Sequence, residues 1–497
     1  MGNVIGIDLG TTYSAMSTID ETGRPKIVTN SEGKNITPSC ILLTENKLEV
    51  GEEARRMLGL DDNTCGRFKR EMGKNIKLKL GNKEYSPADL SAVVLKKLKQ
   101  DAEKSIGEIS EAVVTIPANF NNEAREATMD AAKIAGLNVQ YIVNEPTAAA
   151  LYYAFEGGHE LGGIYAVYDL GGGTFDISII QVNGQDVDVI ATNGVQVLGG
   201  DDFDNIIIEM AKEKYKEVTG ETLASEDFTK SNAEEEKKSL SKREKVTVRI
   251  NRQIIELTKK EFEEKIAYLI TQAEMLCEST FDEAKISVSD IKGVFLVGGS
   301  TRVPAVLQSV KDTFKQEPIS TVNVDEVVSL GAALYAAYKG DKANLNTVQK
   351  KAIEQISVTE STSKCFGTEA IVRNEARNSD EMMNTIIIRK GEKIPCEKTS
   401  SYFTSHEGQT RIKIKITESV APEEDMNFVK IIWEGELDLP PDRPAGQELL
   451  FTYKYDDNQI MKCKFVDKES GKEKKVELSM ANNNSNTASE IEEFLVE

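Results

Sequence analysis

"AVYDLGGGTFDIS", residues 166–178, decides how this chain is read. Apolar and aromatic residues from Tyr165 to Tyr168 read as one buried strand, and Ile177, Ile179 and Ile180 take up the pattern on a second. Between them stand Asp169, Gly171, Gly172, Gly173, Thr174 and Asp176. One or two glycines suffice for a tight hairpin. Three in a row, flanked by aspartates, predict a backbone that comes very close to an anionic group.

The opening stretch "NVIGIDLGTTYSAMSTI", residues 3–19, has the same form. An apolar strand, Val4 to Ile7, meets Asp8, Gly10, Thr11 and Thr12, and a second strand follows. What comes after each loop also matches in order. The first is followed by a helix with Ser86 as N-cap and Pro87 in its first turn. The second is followed by a helix opened by a Thr258/Glu261 capping box. Short buried strands come next ("AVVTIP", "GVFLVGG"), then helices ("NEAREATMDAAKIAG", "RVPAVLQSVKDTF"). Last come helices of small residues ("NEPTAAALYYA", "VVSLGAALYAAY"). The pattern predicts an internal duplication, roughly residues 1–160 and 164–340, as two α/β lobes with covered sheets.

Two such lobes make a cleft, and each offers it one glycine-rich loop. The expectation is that the loops clamp a polyphosphate from opposite sides. Their amides would donate to phosphate oxygens, and Thr11, Thr12 and Thr174 would add hydroxyl donors. Asp8, Asp169 and Asp176 would repel a bare phosphate, so they call for a cation. Mg²⁺ that keeps most of its waters fits. A lone glycine loop would be read as a plain hairpin; a matched pair favours phosphate. No GxxxxGK[ST] and no strand–GxGxxG–helix occurs, which excludes a P-loop or a dinucleotide-binding unit.

Composition narrows the rest. The 497 residues carry a net charge of −21, which argues against non-specific nucleic-acid binding. No apolar run is long enough to span a bilayer, and no basic segment precedes the first apolar run as in a signal peptide. Gly6 stands where N-myristoylation needs Ser or Thr. A cytoplasmic protein, without nucleic acid or membrane as partner, is expected. Six scattered cysteines without CxxC read as buried thiols, and two histidines leave little room for a zinc site or a Ser-His-Asp triad.

"IGIDLGTTYS", "VVTIPANF", "NEPTAAAL", "YDLGGGTFDISI", "LGGDDFDN" and "LVGGSTRVP" occur in the order found in the DnaK-type heat-shock chaperones of the 70-kDa class. The resemblance is strong to about residue 340 and weaker over 360–480. It implies an α/β actin-like ATPase fold of two duplicated lobes, followed by an antiparallel β-sandwich, in an ATP-hydrolysing chaperone of protein folding and the stress response. Within "GRFKREMGK", Lys69 resembles the lysine that faces the γ-phosphate and the attacking water. Glu145 resembles the acid that orients water and Mg²⁺; read alone it is a helix start before Pro146. Asp169 and Thr174 complete the catalytic set that the resemblance implies. For ATP or ADP it adds Tyr13, Gly199, Gly200 and Asp201, with Gly298, Gly299, Ser300, Arg302 and Asp325 under the base and ribose. It further adds Glu234, Lys237, Lys238 and Ser241 from "AEEEKKSLSKRE", which read alone is a solvated charged helix. Pro117 and Arg125 match the family's relay between nucleotide and peptide domains; alone, Arg125 is a surface helix charge.

The expected domains are the ATPase at 1–340, a polar linker at 341–358, a peptide-binding β-sandwich at 359–480 and a polar tail at 481–497 without a helical lid. Strict alternation in "TRIKIKITES" predicts a strand with Ile412, Ile414 and Ile416 on one face. By resemblance Thr368, Ile371, His406, Ile412 and Ile414 lie near a cleft for extended hydrophobic peptides; alternating isoleucines alone read as core. A monomer is expected, with unfolded peptides as substrates and a J-domain co-chaperone and a nucleotide-exchange factor as partners. Besides the lid that is expected to be absent, the chain departs from the family in three places. "AIEQIS" replaces an acidic, leucine-rich linker. Tyr141 and Met129 replace basic residues of the J-domain surface, which weakens that expectation. The segment between Lys69 and Pro117 is short, as in the compact specialised bacterial branch. The alternatives are a nucleotide-dependent scaffold with weak or absent peptide cycling and, last, a small-molecule kinase on the same fold.

Overall fold

The computed structural model describes residues 3–45, 47–157, 161–319, 323–374, 379–456, 460–478 and 495–497. The chain forms two compact units, Met1–Val358 with Asn484–Glu497, and Thr359–Asn483.

In the first unit the two glycine loops sit in sheets of matching topology. Strand Asn3–Asp8 pairs antiparallel with Tyr13–Ile19 and parallel with Ile109–Ile116, which pairs parallel with Val139–Asn144. Strand Gly162–Leu170 pairs antiparallel with Phe175–Asn183 and parallel with Ile291–Val297. A single parallel bridge, Phe295 to Ile319, stands where the first sheet has its outermost strand. The caps expected from sequence are in place. Ser86 and Asp89 close a capping box on the helix Pro87–Ile106, and Thr258 accepts from the Glu261 amide on the helix Lys259–Ala284.

The two helices of small residues, Glu145–Gly157 and Val327–Lys339, lie between the sheets in a shared core. Each packs mainly on the sheet of the other half: Val327–Lys339 on the strand Asn3–Asp8, and Glu145–Gly157 on Asp186–Val195. Their crossing explains the small residues. A Cβ on Gly331 would fall 1.7 Å from the Ala148 carbonyl oxygen, and one on Gly6 would fall 2.2 Å from the Ala333 nitrogen. Tyr153, Phe295 and Tyr165 stack in series through this layer, with centroids 4.2 and 5.1 Å apart.

The segment expected as a linker, 341–358, differs from that expectation. It contains a helix, Thr347–Ile353, capped by Asn346 and Gln349. Gln349 donates to the carbonyls of Ile19 and Asp20, and Leu345, Ile353 and Ile356 are buried in the inter-sheet core. Three buried apolar side chains, one in the helix and one on each side of it, outweigh the polar composition around them.

The second unit is built from two four-stranded antiparallel sheets. One runs Ser379–Ile388, Cys365–Asn374, Arg411–Ser419, Lys430–Asp438; the other runs Cys396–Phe403, Glu448–Tyr455, Met461–Asp467, Glu473–Glu477. They share one core, in which Ile414, Ile416, Tyr453 and Phe465 are fully buried. Most of the expected tail, 481–494 with Ile491 and Phe494, lies outside the described residues. Leu495–Val496 is a strand on the first unit.

Candidate functional site

A cleft of about 880 Å³ opens in the first unit between the two glycine loops. The loops face each other directly. A Cβ on Gly172 would stand 2.4 Å from Thr12 Oγ1, and one on Gly173 would stand 2.6 Å from Thr11 Oγ1. The carbonyls of the second loop are already engaged. Gly171 O accepts from the Gly200 amide (3.0 Å) and Ser300 Oγ (2.7 Å), Gly172 O from the Asp201 amide (2.8 Å), and Gly173 O from the Leu198 amide (3.3 Å). The amides of Thr11, Thr12, Gly172 and Gly173 donate to none of the described residues. Gly199 is needed because a Cβ there would lie 2.7 Å from the Gly173 nitrogen. The helix Gly200–Thr219 starts at this point, and its first amides, those of Gly200 and Asp201, are the ones that hold the loop's carbonyls.

Four ionisable groups converge below the loops. Lys69, in the short helical turn Phe68–Glu71, ion-pairs with Glu145, the first residue of its helix. Asp8 ends the first strand and accepts from Thr115 Oγ1 at 3.1 Å. Burial, with Glu145 adding repulsion, pushes the Asp8 carboxyl up to about 7. Burial, reinforced by Glu145 and Asp176, holds Asp169 well above the carboxylate range. For Lys69 burial works against the charge, but Glu145 and Asp8 outweigh it and the ammonium is raised. Three carboxylates beside one ammonium leave an excess of negative charge that a cation would relieve. Among the described residues no group of three or more acidic, His or Cys side chains converges tightly enough to cage a metal ion directly. A Mg²⁺ carried on phosphate oxygens and waters fits such a donor set. Asp176 is paired with Asp169 across the strands and 1% exposed, and it lies behind the lining rather than in it.

The upper cleft is lined by Tyr13, Glu234, Lys237, Lys238, Ser241, Gly298, Gly299, Ser300, Arg302 and Asp325. The helix Lys230–Leu240 is not uniformly solvated, as its composition suggests, because it buries Glu234 and Lys237. Lys237 donates to Gly200 O (2.9 Å) and pairs with Asp204 (2.7 Å). Glu234 binds Tyr13 Oη (3.1 Å), Lys238 (2.8 Å) and Arg55 (2.8 Å). Burial alone would raise the Glu234 carboxyl, but Lys238 and Arg55 bring it down to about 2. Arg302 reaches Asp325 at 2.6 Å, and a Cβ on Gly299 would meet Asp325 Oδ1 at 2.8 Å.

Sequence reasoning missed the ties that close the cleft. Arg55 meets Glu234, Arg67 meets Asp201 (2.6 Å) and Arg70 meets Asp202 (2.6 Å). Their signal was a set of arginines over residues 55–70, on both sides of Lys69, which has no meaning until the fold brings the opposite half over it. Arg125 is 2% exposed rather than a surface charge. It donates to Phe120 O (3.1 Å), Ala118 O (3.2 Å) and Asn144 Oδ1 (3.5 Å). It thereby joins the turn after the buried Pro117 to the residue preceding Glu145.

In the second unit one ladder forks. Strand Cys365–Asn374 pairs with Arg411–Ser419 only from Cys365 to Thr368, while its remaining residues pair only with Ser379–Ile388. Thr368 Oγ1 donates to Lys415 O (2.7 Å) and Glu369 pairs with Lys415 (2.8 Å) at the branch point. Beyond Thr368 the ladder between these two strands does not continue among the described residues. Thr368 and Ile414 are fully buried, Ile412 is half-buried, and Ile371 is 57% exposed. His406 is exposed, with Nδ1 3.1 Å from Ser405 Oγ. Phe403, 62% exposed at the end of its strand, was missed, because a strand-end aromatic reads as core.

The comparison with known families agrees with this architecture. The sequence model of the family described as Hsp70 protein matches residues 4–80 and 74–497. The match takes in nearly the whole chain, which therefore belongs to the Hsp70 family.

Proposed function

We propose that the chain is an ATP-driven molecular chaperone in which hydrolysis switches the grip of the β-sandwich on extended hydrophobic peptides. The two sheets of matching topology would be the lobes of an actin-like ATPase. One observation carries the reading: two glycine loops, with amides that donate to none of the described residues, approach each other in a cleft also lined by Asp8, Asp169, Lys69 and Glu145. Such a cradle suits the phosphate tail of ATP or ADP. Bound Mg²⁺ would supply the charge that lets three carboxylates sit near phosphate. Lys69 would place its ammonium where charge develops in phosphoryl transfer, and Glu145 and Asp169 would hold the water and its proton. Thr174, in the cleft lining, would add a hydroxyl donor. The upper lining, from Tyr13 to Asp325, would hold the adenosine.

Arg125 and Pro117 would pass a change at Glu145 to the surface beside the strand Ile109–Ile116. Ile371 and Ile412, on the two strands that part at the fork, would offer apolar contacts beside diverging backbone edges, the combination that captures an extended segment. The short stretch between Lys69 and Pro117 supports a specialised member rather than a general housekeeping one. A J-domain partner would meet Tyr141 and Met129 rather than basic side chains.

The test is peptide affinity measured in ATP and in ADP, with turnover measured with and without peptide. Weaker binding in ATP and stimulated turnover support the chaperone. Equal affinities and equal rates, with firm nucleotide binding, would instead make the chain a nucleotide-dependent scaffold.

A further inference from the structure

We infer that Leu495–Glu497 docks as an added strand on the edge of Lys47–Val50 and braces the part of the first unit that carries Arg55 and Lys69. Residues Leu495 and Val496 pair parallel with Lys47 and Leu48. The Glu497 amide donates to Leu48 O at 3.0 Å, and the Val50 amide donates to Glu497 O at 2.9 Å. Lys47 Nζ adds an exposed ion pair to Glu497 at 2.8 Å. The decisive contact is Val496, which is 4% exposed in a core with Ile41, Leu48, Tyr85 and Leu95. A strand held by its backbone and by one alternate side chain in a pocket is how sheet edges take up extended segments.

The position of this edge gives the docking a consequence. The small sheet orders as Leu495–Val496, Lys47–Val50, Cys40–Thr44, Thr64–Gly66. The helix Glu52–Met57, with Arg55, follows directly on Val50, and the turn with Lys69 follows directly on Gly66. The added strand thus completes the sheet from which the cleft's Arg55–Glu234 and Arg67–Asp201 ties project. Without it the Val50 amide loses its partner and the Lys47–Val50 edge is open to water. Leu495–Glu497 lies far along the chain from this edge, and its strand is paired on the first unit. The docking itself stands apart from the chaperone reading; its effect on the cleft rests on nucleotide binding there.

The test compares the full chain with Val496→Asp and with a chain lacking residues 484–497, and adds the peptide SEIEEFLVE (residues 489–497) in trans. Hydrogen exchange at the Val50 amide is expected to rise about tenfold or more in both variants and to be restored by the peptide in the shortened chain. ADP release is expected to quicken several-fold in step. Unchanged exchange at Val50 in both variants overturns the docking. Raised exchange with unchanged ADP release keeps the docking and overturns the brace. Loss of ADP binding by the full chain would count against the nucleotide reading and leave the Val50 result to decide the docking.

Discussion

Lys69 and Glu145 are ion-paired on the floor of the cleft, joining the turn Phe68–Glu71 to the start of a helix that packs on the other half's sheet. The pair is nearly fully buried, with side chains 5% and 9% exposed. A buried pair beside two further carboxylates is costly to keep, and such clusters mark chemistry more often than stability.

Lys69→Ala and Glu145→Ala are each expected to lower ATP turnover about 100-fold or more while nucleotide still binds. Single-turnover hydrolysis alongside equilibrium binding separates the two effects. Turnover that survives both substitutions would remove these residues from the chemistry.

Arg55→Ala cuts one tie across the cleft. The side chains of Arg55 and Glu234 are 14% and 11% exposed, so the pair is sheltered but not sealed. An effect of about 1 kcal/mol, or roughly fivefold faster ADP release, is expected. Stopped-flow release of a fluorescent ADP measures it, and an unchanged rate would mean that the tie does not gate the cleft.

The buried carboxylates predict a pH dependence of stability. Burial pushes the Asp8 carboxyl up to about 7 in the folded chain, well above the ordinary carboxylate range, and Asp169 is also raised. The folded state then holds protons that the unfolded state has released. This contribution is full below the unfolded value and is lost as pH rises through about 7. The nucleotide-free protein is expected to melt at a lower temperature at about pH 8 than at about pH 6. Asp8→Asn should flatten the profile, and so should magnesium nucleotide. Parallel profiles for Asp8→Asn and the unaltered chain would place the dependence elsewhere.

The fork of the second unit separates contact residues from core residues. Ile371→Asp, at an exposed position, is expected to weaken binding of an extended apolar peptide at least tenfold with little change in melting temperature. Ile414→Ala, fully buried, is expected to destabilise the sandwich by about 2–5 kcal/mol. Fluorescence anisotropy and thermal unfolding read the two outcomes. Peptide binding unaffected by Ile371→Asp would exclude this edge as the grip.

Much of the first unit was legible because its signals are local or repeated. The glycine loops, the Ser86 and Thr258 caps and the order of strands and helices each follow from neighbouring residues. The duplication shows because one pattern is written twice. The cleft-lining set Asp8, Thr12, Asp169 and Gly172 could be named in advance because each residue stands in a glycine loop or at the end of the strand that leads into it.

What the sequence by itself determined is therefore the paired turns, the two α/β halves, the period-two strands of the second unit and the family. Only the tertiary structure decided which charges are buried. Glu234, Lys237 and Arg125 read as solvated until the opposite half, or a neighbouring turn, covers them. Composition likewise could not place Leu345, Ile353 and Ile356 in the inter-sheet core, or Leu495–Val496 on the edge of Lys47–Val50. Burial and edge pairing are properties of what lies across a gap in space, and that partner is distant in the chain.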